Sequence, residues 1–335
     1  MIGTVNDDPQ SPKIELHVHL EGTVRAATLL EVARRNDVAL PATTVDDLTE
    51  LYQFRDFQHF IDVWVLITSV LRTAADFRQV VVDYAAEAAS FGAVYLEGIF
   101  SPGRVDRGVP WDEIFSGYCD GARQAEEEHG VIVRLTPDIH RGASIEVACE
   151  VARWAVRFKE SGVVGLGLGG LEADYPPEPY APAFAIARDG EIGSVPHAGE
   201  VAGPASIRGA LDALGADRIR HGIRAIEDPS LVSELADRGI VLDVCPTSNL
   251  RTGAVASLAD HPLPRLMAAG VVCSISTDDP AMFNTDLVRE YEVATDLGCS
   301  HEIAFRAGIR GALCDEDTRS RLQRIADSFS WVADA

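Results

Sequence analysis

The segment KIELHVHLEGT, residues 13–23, is the part of the chain most informative about its fold. It opens with a short aliphatic run containing isoleucine and valine, which is typical of a buried β-strand. In a doubly wound open sheet, a glycine-rich phosphate loop would follow the first strand, and HVHLEGT is not such a loop. The stretch therefore favours a closed barrel over the doubly wound sheet, which is the alternative.

Seven further strand-like runs follow along the chain. Together with residues 14–19, the candidate strands are 94–100, 131–139, 163–168, 192–197, 218–223, 240–245 and 271–276. Amphipathic segments separate most of them, among them 76–90, 144–160, 204–214 and 229–238. Eight alternating βα units predict an α/β fold of the TIM (β/α)8 barrel type. Since 335 residues with 47% hydrophobic content suit one such barrel, we predict a single domain over residues 1–335.

Two connections are longer than usual. Residues 21–75 contain Leu51, Phe54, Phe57, Phe60 and Trp64 at near-helical spacing. This spacing predicts extra helices over the C-terminal face of the barrel after strand 1, and it leaves open whether the aromatic stripe is core or a substrate lid. The second connection, 171–189, begins with LEADYPPEPY and is predicted to be a loop or the start of a short helix.

Composition excludes several kinds of partner. The chain has 29 Lys and Arg against 52 Asp and Glu, a formal charge of -23 that repels a phosphate backbone, so we expect no nucleic-acid partner. Neither a signal-peptide pattern nor an apolar run of roughly 18 residues is present, so we expect a cytoplasmic protein without a membrane partner. The six Cys contain no CxxC pair and are expected to be buried thiols. Nothing in the sequence specifies an oligomeric state.

Polar residues that could carry out chemistry stand at the ends of the predicted strands. They are His17 and His19, His197 with Glu200, His221, and Asp278 with Asp279. The C-terminal ends of barrel strands meet at one rim, which is where such enzymes place their active sites. We therefore expect these side chains to form one ring.

This ring has the composition of a zinc site. His17 and His19 stand two apart on a strand, so both imidazoles face the same side, although such a pair alone is a weak signal. With His197 and Asp278 from other strands, the set suits one Zn²⁺ per chain with room for a water. Zinc lowers the pKa of such a water to about 7. His221 and Glu200 are then the candidates for the general base and for the donor that activates the electrophile.

Other interpretations remain for parts of this set. Glu200 alone could be a solvated surface residue, and the Asp278–Asp279–Pro280 sequence could be a turn or a helix cap. Another zinc-dependent hydrolysis, of an ester, a phosphoester or an amide, would favour a carboxylated Lys or a second metal. The only lysines are Lys13 and Lys159, and neither ends a predicted strand. A non-catalytic binding protein that kept the barrel is a third reading.

Five stretches in this order carry a family resemblance. KIELHVHLEGT, PHAGEVAGP, RIRHGIRAIEDP, CPTSNLRT and STDDPAMF, at residues 13–23, 196–204, 218–229, 245–252 and 276–283, resemble the adenosine deaminase family of the amidohydrolase superfamily. The resemblance extends from about Lys13 to the C-terminal region. It implies hydrolytic deamination at C6 of an adenine-type purine nucleoside by a zinc-bound hydroxide, with release of ammonia.

The resemblance also implies a role for each site residue. It implies that the zinc ligands are His17, His19, His197 and Asp278. Glu200 is implied to donate to purine N1, and His221 to orient or deprotonate the attacking water. Asp279 is implied to hold the hydroxide and contact N7, and the backbone of Gly170 to meet N3.

Departures from the family pattern concern the substrate. Glu21 stands in HLEG where many adenosine deaminases have HLDG, at an acidic position that faces the 5′ end of the ribose. GLGLGGLE, at 165–172, replaces a GIDLAGDE-like run, so that Gly167 and Leu171 each stand in place of an Asp. This run resembles the 6-aminodeoxyfutalosine deaminases of menaquinone biosynthesis. HLEGT is commoner in relatives that act on adenine, whereas HAGEVAGP has the nucleoside-type form. Adenosine is thus the first expected substrate, 6-aminodeoxyfutalosine the alternative and adenine the third.

Overall fold

A ring of parallel strands forms the centre of the molecule. The structure, a computed structural model, describes residues 11–54, 57–103 and 108–331, without the side chains of residues 57 and 58. Its strands are β1 Lys13–His19, β2 Ala93–Phe100, β3 Ile132–His140, β4 Gly165–Gly169, β5 Gly193–Ser194, β6 His197–Ala198, β7 Arg218–His221, β8 Val241–Val244 and β9 Val272–Ile275. The short β5 and β6 are separated only by Val195 and Pro196, and proline has no backbone N–H to donate to a ladder. They form one strand of the barrel, so all eight predicted strands are found.

Hydrogen bonds connect the strands in chain order and return to the first. The order is β1-β2-β3-β4-β5 in one sheet and β6-β7-β8-β9 in the other, with parallel pairing throughout. Just beyond β9, the N–H of Asp278 donates to the carbonyl of His17 at 3.1 Å, and the N–H of His19 donates to the carbonyl of Asp278 at 2.7 Å. The last strand position therefore contacts the first. The predicted (β/α)8 barrel is confirmed.

Helices follow most strands and form the outer layer. They are α1 Ala26–Arg35, α2 Val45–Glu50, α3 Phe57–Val70, α4 Ala74–Ser90, α5 Trp111–His129, α6 Ile145–Arg157, α7 Ala181–Asp189, α8 Pro204–Ala213, α9 Pro229–Arg238, α10 Pro246–Arg251, α11 Leu263–Ala268, α12 Pro280–Phe283, α13 Leu287–Asp296, α14 His301–Gly311 and α15 Glu316–Ser328. Five 3₁₀ helices add Leu20–Thr23, Lys159–Ser161, Glu178–Tyr180, Ile223–Glu227 and Leu258–Asp260. The four segments predicted as helices correspond to α4, α6, α8 and α9.

Side-chain caps explain where several of these helices begin. Ser144 accepts a hydrogen bond from the N–H of Val147 at the start of α6, and Asp228 accepts from Ser230 and Leu231 at the start of α9. Such caps satisfy backbone donors that have no partner inside the helix. Proline at the first positions of α8, α9 and α10 restricts φ in a way that suits a helix start. Local sequence thus determines the residue at which each of these helices begins.

Ion pairs fill part of the barrel interior. Arg218 donates to Glu97 Oε2 and to Asp243 Oδ2, both at 2.6 Å, and all three side chains are buried. Nearer the C-terminal ends, Arg220 donates to Asp138 Oδ1 at 2.5 Å and to Thr136 Oγ1 at 2.6 Å. Buried charges are tolerated when they are paired in this way. The pairs connect side chains of β2, β3, β7 and β8 across the interior, below the site.

The two long connections take different forms. α1, α2 and α3 lie in the first, as predicted, and Phe60, Ile61 and Trp64 of α3 line a cavity at the C-terminal rim. Trp64 also packs into the core, so the stripe serves as both core and cavity wall; the side chain of Phe57 lies outside the described residues. The second connection contains a 3₁₀ turn and α7. It is therefore more helical than predicted, because the prolines lie before α7 and at its start.

Three other expectations concern the whole chain. Cys119, Cys245, Cys273 and Cys299 are buried, and all six cysteines are free thiols. Over the ranges that the structure describes, no helix is long and apolar enough to cross a membrane. That residues 1–335 form a single domain stays a prediction.

Candidate active site

A cavity of about 360 Å³ opens at the C-terminal ends of the strands. Its polar end contains His19, Asp138, His140, His197, Glu200, His221, Asp278 and Asp279. Its apolar wall contains Phe60, Ile61, Trp64, Leu171, Val201 and Phe283. Concave sites of this size and mixed polarity are typical of small-molecule binding.

Four side-chain atoms converge at the polar end. His197 Nε2 lies 3.1 Å from His17 Nε2 and 3.2 Å from His19 Nε2. Asp278 Oδ1 lies 3.3 Å from the Nε2 atoms of both His17 and His19. Ligand atoms on a tetrahedral zinc ion with bonds of roughly 2.0–2.1 Å are about 3.3–3.4 Å apart. Four of the six distances among these atoms therefore match the spacing of ligands on a metal ion.

The protonation of the histidines agrees with this arrangement. Burial holds the pKa of His17 and His197 well below the usual value and lowers the pKa of His19 to about 4, so the rings are neutral. His197 Nδ1 lies 3.0 Å from the carbonyl oxygen of Leu168, which can only accept, so the proton of this ring is on Nδ1. The lone pair of His197 Nε2 then points at the other ligand atoms, as metal coordination requires.

Asp278 and Asp279 are neighbours with opposite shifts in pKa. Burial alone would raise the pKa of Asp278, but its histidine neighbours hold it well below the usual value, and Ser248 donates to its Oδ2 at 2.5 Å. Burial and the adjacent charge of Asp278 raise the pKa of Asp279 well above the usual value. Such a divergence suits one carboxylate as an ionised ligand and the other as a group that exchanges protons.

Unusual backbone conformations orient these side chains toward the site. His221 and Asp278 have φ values of 61° and 69°, in the left-handed region that residues with a Cβ rarely adopt. Strain of this kind persists where the surrounding structure holds it, often at functional sites. Gly22 has a related role, since a Cβ there would lie 1.9 Å from Asp279 Oδ1. The glycine of HLEGT thus leaves room for the Asp279 carboxylate.

Glu200 faces the cavity with its side chain 19% exposed. Its Oε1 accepts from Thr252 Oγ1 at 3.0 Å, and its Oε2 lies 3.5 Å from His221 Nε2. Burial raises the pKa of this carboxyl. A carboxyl that holds its proton to higher pH can serve as a hydrogen-bond donor to a substrate.

Glu172 was not among the predicted site residues, and it determines where Glu200 lies. Its carboxylate accepts from the backbone N–H groups of residues 199–202 and from Ser206 Oγ; the Glu200 N–H is at 3.1 Å. Charge-assisted bonds of this kind are about twice as strong as neutral ones. The HAGE turn is therefore held by one buried carboxylate. In the sequence, the only sign of this role is the Glu that follows GLGLGGL.

Replacing Glu172 by Gln should lower kcat about 10- to 100-fold with metal content unchanged. The Gln amide turns an NH₂ group toward backbone donors, and each hydrogen bond lost to a charged group costs roughly 1.5–3 kcal/mol. His197 stays on its strand, so the metal ligands keep their places. The measurement is kcat beside metal analysis, with the exposed Glu160→Gln as control. Unchanged turnover in Glu172→Gln would show that the turn does not depend on this carboxylate.

Asp138 is a second residue that sequence reasoning missed. It pairs in register with Gly167, and a Cβ at Gly167 would lie 1.9 Å from Asp138 Oδ1. Its Oδ2 lies 3.4 Å from His197 Nδ1, and burial raises the pKa of Asp138 to about 6. Gly167 thus does not enlarge the cavity, because the Asp138 carboxylate of the neighbouring strand fills the space beside it.

Two of the three predicted substrate contacts, Gly170 and Glu21, lie in different surroundings. Gly170 lines the cavity with φ 106°, and contact between its backbone and purine N3 stays a prediction. Glu21 is fully buried, its Oε1 accepts from the N–H of Ser101 at 3.0 Å, and it is absent from the cavity wall. Contact between Glu21 and a sugar stays a prediction, and the geometry instead ties Glu21 to the end of β2.

This barrel and its histidine–aspartate cluster define the chain as a metal-dependent hydrolase of the amidohydrolase superfamily. The adenosine deaminase family profile matches residues 12–328. An aminodeoxyfutalosine deaminase of Acidothermus cellulolyticus is 56% identical over 96% of this chain and 92% of its own length. The chain belongs to the adenosine deaminase family and is a hydrolytic purine deaminase.

Two crystal structures extend the comparison. An adenine deaminase from Arthrobacter aurescens superposes with a TM-score of 0.89 and 31% identity, over 95% of this chain and 98% of that chain. An amidohydrolase from Burkhoderia ambifaria with bound Zn has a TM-score of 0.83 and 27% identity, over 96% of this chain and 93% of that chain. Both cover the barrel and its rim, so the fold of the family is shared along nearly the whole chain.

Proposed function

We propose that the chain deaminates 6-aminodeoxyfutalosine, a purine nucleoside with a bulky substituent at the 5′ position. The observation that carries this proposal is the 56% identity to an aminodeoxyfutalosine deaminase over 96% of the chain. The motifs alone favour adenosine as the first expected substrate and 6-aminodeoxyfutalosine as the alternative. The similarity reverses that order.

The shape of the cavity supports a substrate larger than adenine. Beside the polar end, Phe60 stacks on Phe283 with ring centroids 5.4 Å apart and an interplanar angle of 6°. Trp64 and Leu171 extend the same apolar wall. We propose that the 5′ substituent of a bound purine nucleoside contacts this wall, where burying apolar surface contributes roughly 25 cal/mol per Å².

We propose Zn²⁺ as the metal, because three neutral imidazoles and one carboxylate form a set that zinc prefers. When bound, zinc supplies a water whose pKa is lowered to about 7. The ligands in this proposal are His17, His19, His197 and Asp278. Four of the six distances among these ligand atoms are 3.1–3.3 Å, which supports one ion per chain.

Four protein residues bind the purine, orient the water and transfer protons. Glu200, whose pKa is raised by burial, donates its carboxyl proton to the purine ring nitrogen next to the amino carbon. His221 orients the attacking water, and Asp279 contacts the imidazole side of the purine while exchanging protons. The Gly170 backbone meets the opposite edge of the base. Ammonia leaves after the amino group has received a proton.

Adenine is the second candidate. The Arthrobacter aurescens adenine deaminase shares the fold with a TM-score of 0.89, and HLEGT carries the glutamate at position 21. Glu21 is buried and accepts a hydrogen bond from the N–H of Ser101, so this glutamate does not by itself distinguish adenine from a nucleoside in our proposal. The apolar wall is the feature that separates the two substrates.

A substrate panel tests the proposal. For 6-aminodeoxyfutalosine, adenosine, 2′-deoxyadenosine, 5′-methylthioadenosine and adenine, kcat/KM should favour the first by at least about 100-fold, or about 2.7 kcal/mol. Phe60→Ala should reduce kcat/KM for 6-aminodeoxyfutalosine more than for adenine, since only the former reaches the wall. The exposed Glu160→Gln serves as control. A preference for adenine or adenosine would overturn the assignment.

A further inference from the structure

Three buried polar side chains form a chain of hydrogen bonds behind the site. His261 precedes α11, Asn249 lies in α10 and His221 ends β7, and their residues are 3%, 0% and 1% exposed. His261 Nε2 lies 3.2 Å from Asn249 Oδ1, and Asn249 Nδ2 lies 3.2 Å from His221 Nδ1. The direction of each bond follows from its partners.

The backbone of Leu263 fixes the first proton. Its N–H donates to His261 Nδ1 at 3.1 Å, and a backbone N–H can only donate, so Nδ1 carries a lone pair. Burial lowers the pKa of His261 to about 4, so the ring is neutral and its one proton is on Nε2. His261 Nε2 therefore donates to Asn249 Oδ1.

The orientation of the Asn249 amide transmits this direction. Since its oxygen accepts from His261, its NH₂ group faces His221 Nδ1 and donates to it. A neutral imidazole with an accepting Nδ1 carries its proton on Nε2. His221 Nε2 lies 3.5 Å from Glu200 Oε2 and 3.8 Å from Asp278 Oδ2, on the side of the cavity.

We propose that Asn249 and His261 are positioning residues that hold His221 as the Nε2–H tautomer, so that it presents a donor and not a lone pair to the cavity. This inference deepens the proposed deamination and rests on it for the meaning of the donor. It selects between the two roles that the resemblance implies, since a donating His221 orients the attacking water. Removal of a proton from that water is then left to a carboxylate.

The tautomer can be measured without substrate. In metal-loaded enzyme with ¹⁵N-labelled histidine, two-bond ¹H–¹⁵N correlations distinguish a ring protonated on Nε2 from one protonated on Nδ1, and His221→Gln identifies the signal. The expected result is Nε2–H in the wild type at neutral pH. An Nδ1–H pattern would overturn the proposal, and it would do so even if the panel confirmed the substrate.

Asn249→Asp gives the sharpest variant. A carboxylate can accept from both His261 and His221, so His221 should change to the Nδ1–H tautomer. We expect kcat to fall about 10- to 100-fold, the usual cost of removing an outer hydrogen-bond partner at a metal site, with KM and metal content little changed. Asn284→Asp, at an exposed position, is the matched control for the added charge. Loss of kcat without a change of tautomer would reduce Asn249 to a structural role and overturn the proposal.

A second pair of variants covers the case in which Asn249→Asp does not fold. His261→Gln keeps an N–H donor for Asn249 Oδ1 and should retain the wild-type tautomer and turnover. His261→Leu removes that donor, so the Asn249 amide can rotate and His221 should show both tautomers. If His261→Leu and His261→Gln gave the same His221 tautomer signals, His261 would not set the direction of these hydrogen bonds, and the proposal would fail.

Discussion

Replacing Glu200 by Gln lowers kcat by about 10² to 10⁴ in our expectation while metal stays bound, because a Gln amide cannot transfer a carboxyl proton to the purine ring. The substitution preserves the size of the side chain, and Thr252 can still reach an amide oxygen at this position. KM should change much less than kcat, since the lost interaction strengthens as the ring nitrogen gains its proton.

The pH profile provides a second readout for Glu200. Burial raises the pKa of this carboxyl, so the protonated donor is present at low pH and is lost as pH rises through that raised pKa. The wild type should therefore lose kcat on the alkaline side, and Glu200→Gln should lack this limb. Metal analysis and the exposed Glu160→Gln are the controls. Near-wild-type turnover in Glu200→Gln would remove Glu200 from the chemistry.

The second large effect concerns the metal. His197→Ala should reduce both metal content and kcat/KM by more than about 100-fold, which exceeds the 10- to 100-fold cost of losing an outer partner. The reason is geometric, because His197 Nε2 lies within 3.2 Å of the ligand atoms of both His17 and His19. Metal analysis of protein purified without chelator, followed by zinc titration, provides the measurement.

Two further measurements make the metal experiment specific. Wild type stripped with a chelator should recover activity on addition of about one equivalent of Zn²⁺ per chain, whereas His197→Ala should not. His129→Ala, on the last turn of α5, removes a histidine that precedes the N-terminal end of β3 and should keep full metal content. Full zinc occupancy in His197→Ala would exclude His197 from the ligands.

Local sequence determined the barrel and the identity of the rim residues. Each strand and helix has its own periodicity, and the alternation of eight such units admits few folds. His17 and His19 share a face because strand side chains alternate with a period of two. Parallel strands then bring their polar C-terminal ends to one rim, so that His197, His221 and Asp278 could be grouped without coordinates.

The residues that support the rim, and the contacts each of them makes, are evident only from the folded structure. Asp138 occupies the space beside Gly167 because β3 and β4 pair in that register. The glycine in the sequence does not reveal which neighbouring side chain fills that space. The motif predicts that Glu21 faces the ribose, whereas in the structure its carboxylate accepts a hydrogen bond from the N–H of Ser101. His261 and Asn249 act on His221 through contacts between α10, β7 and the segment before α11. Such contacts join side chains that are distant in sequence, and no local pattern encodes the register and packing that bring them together.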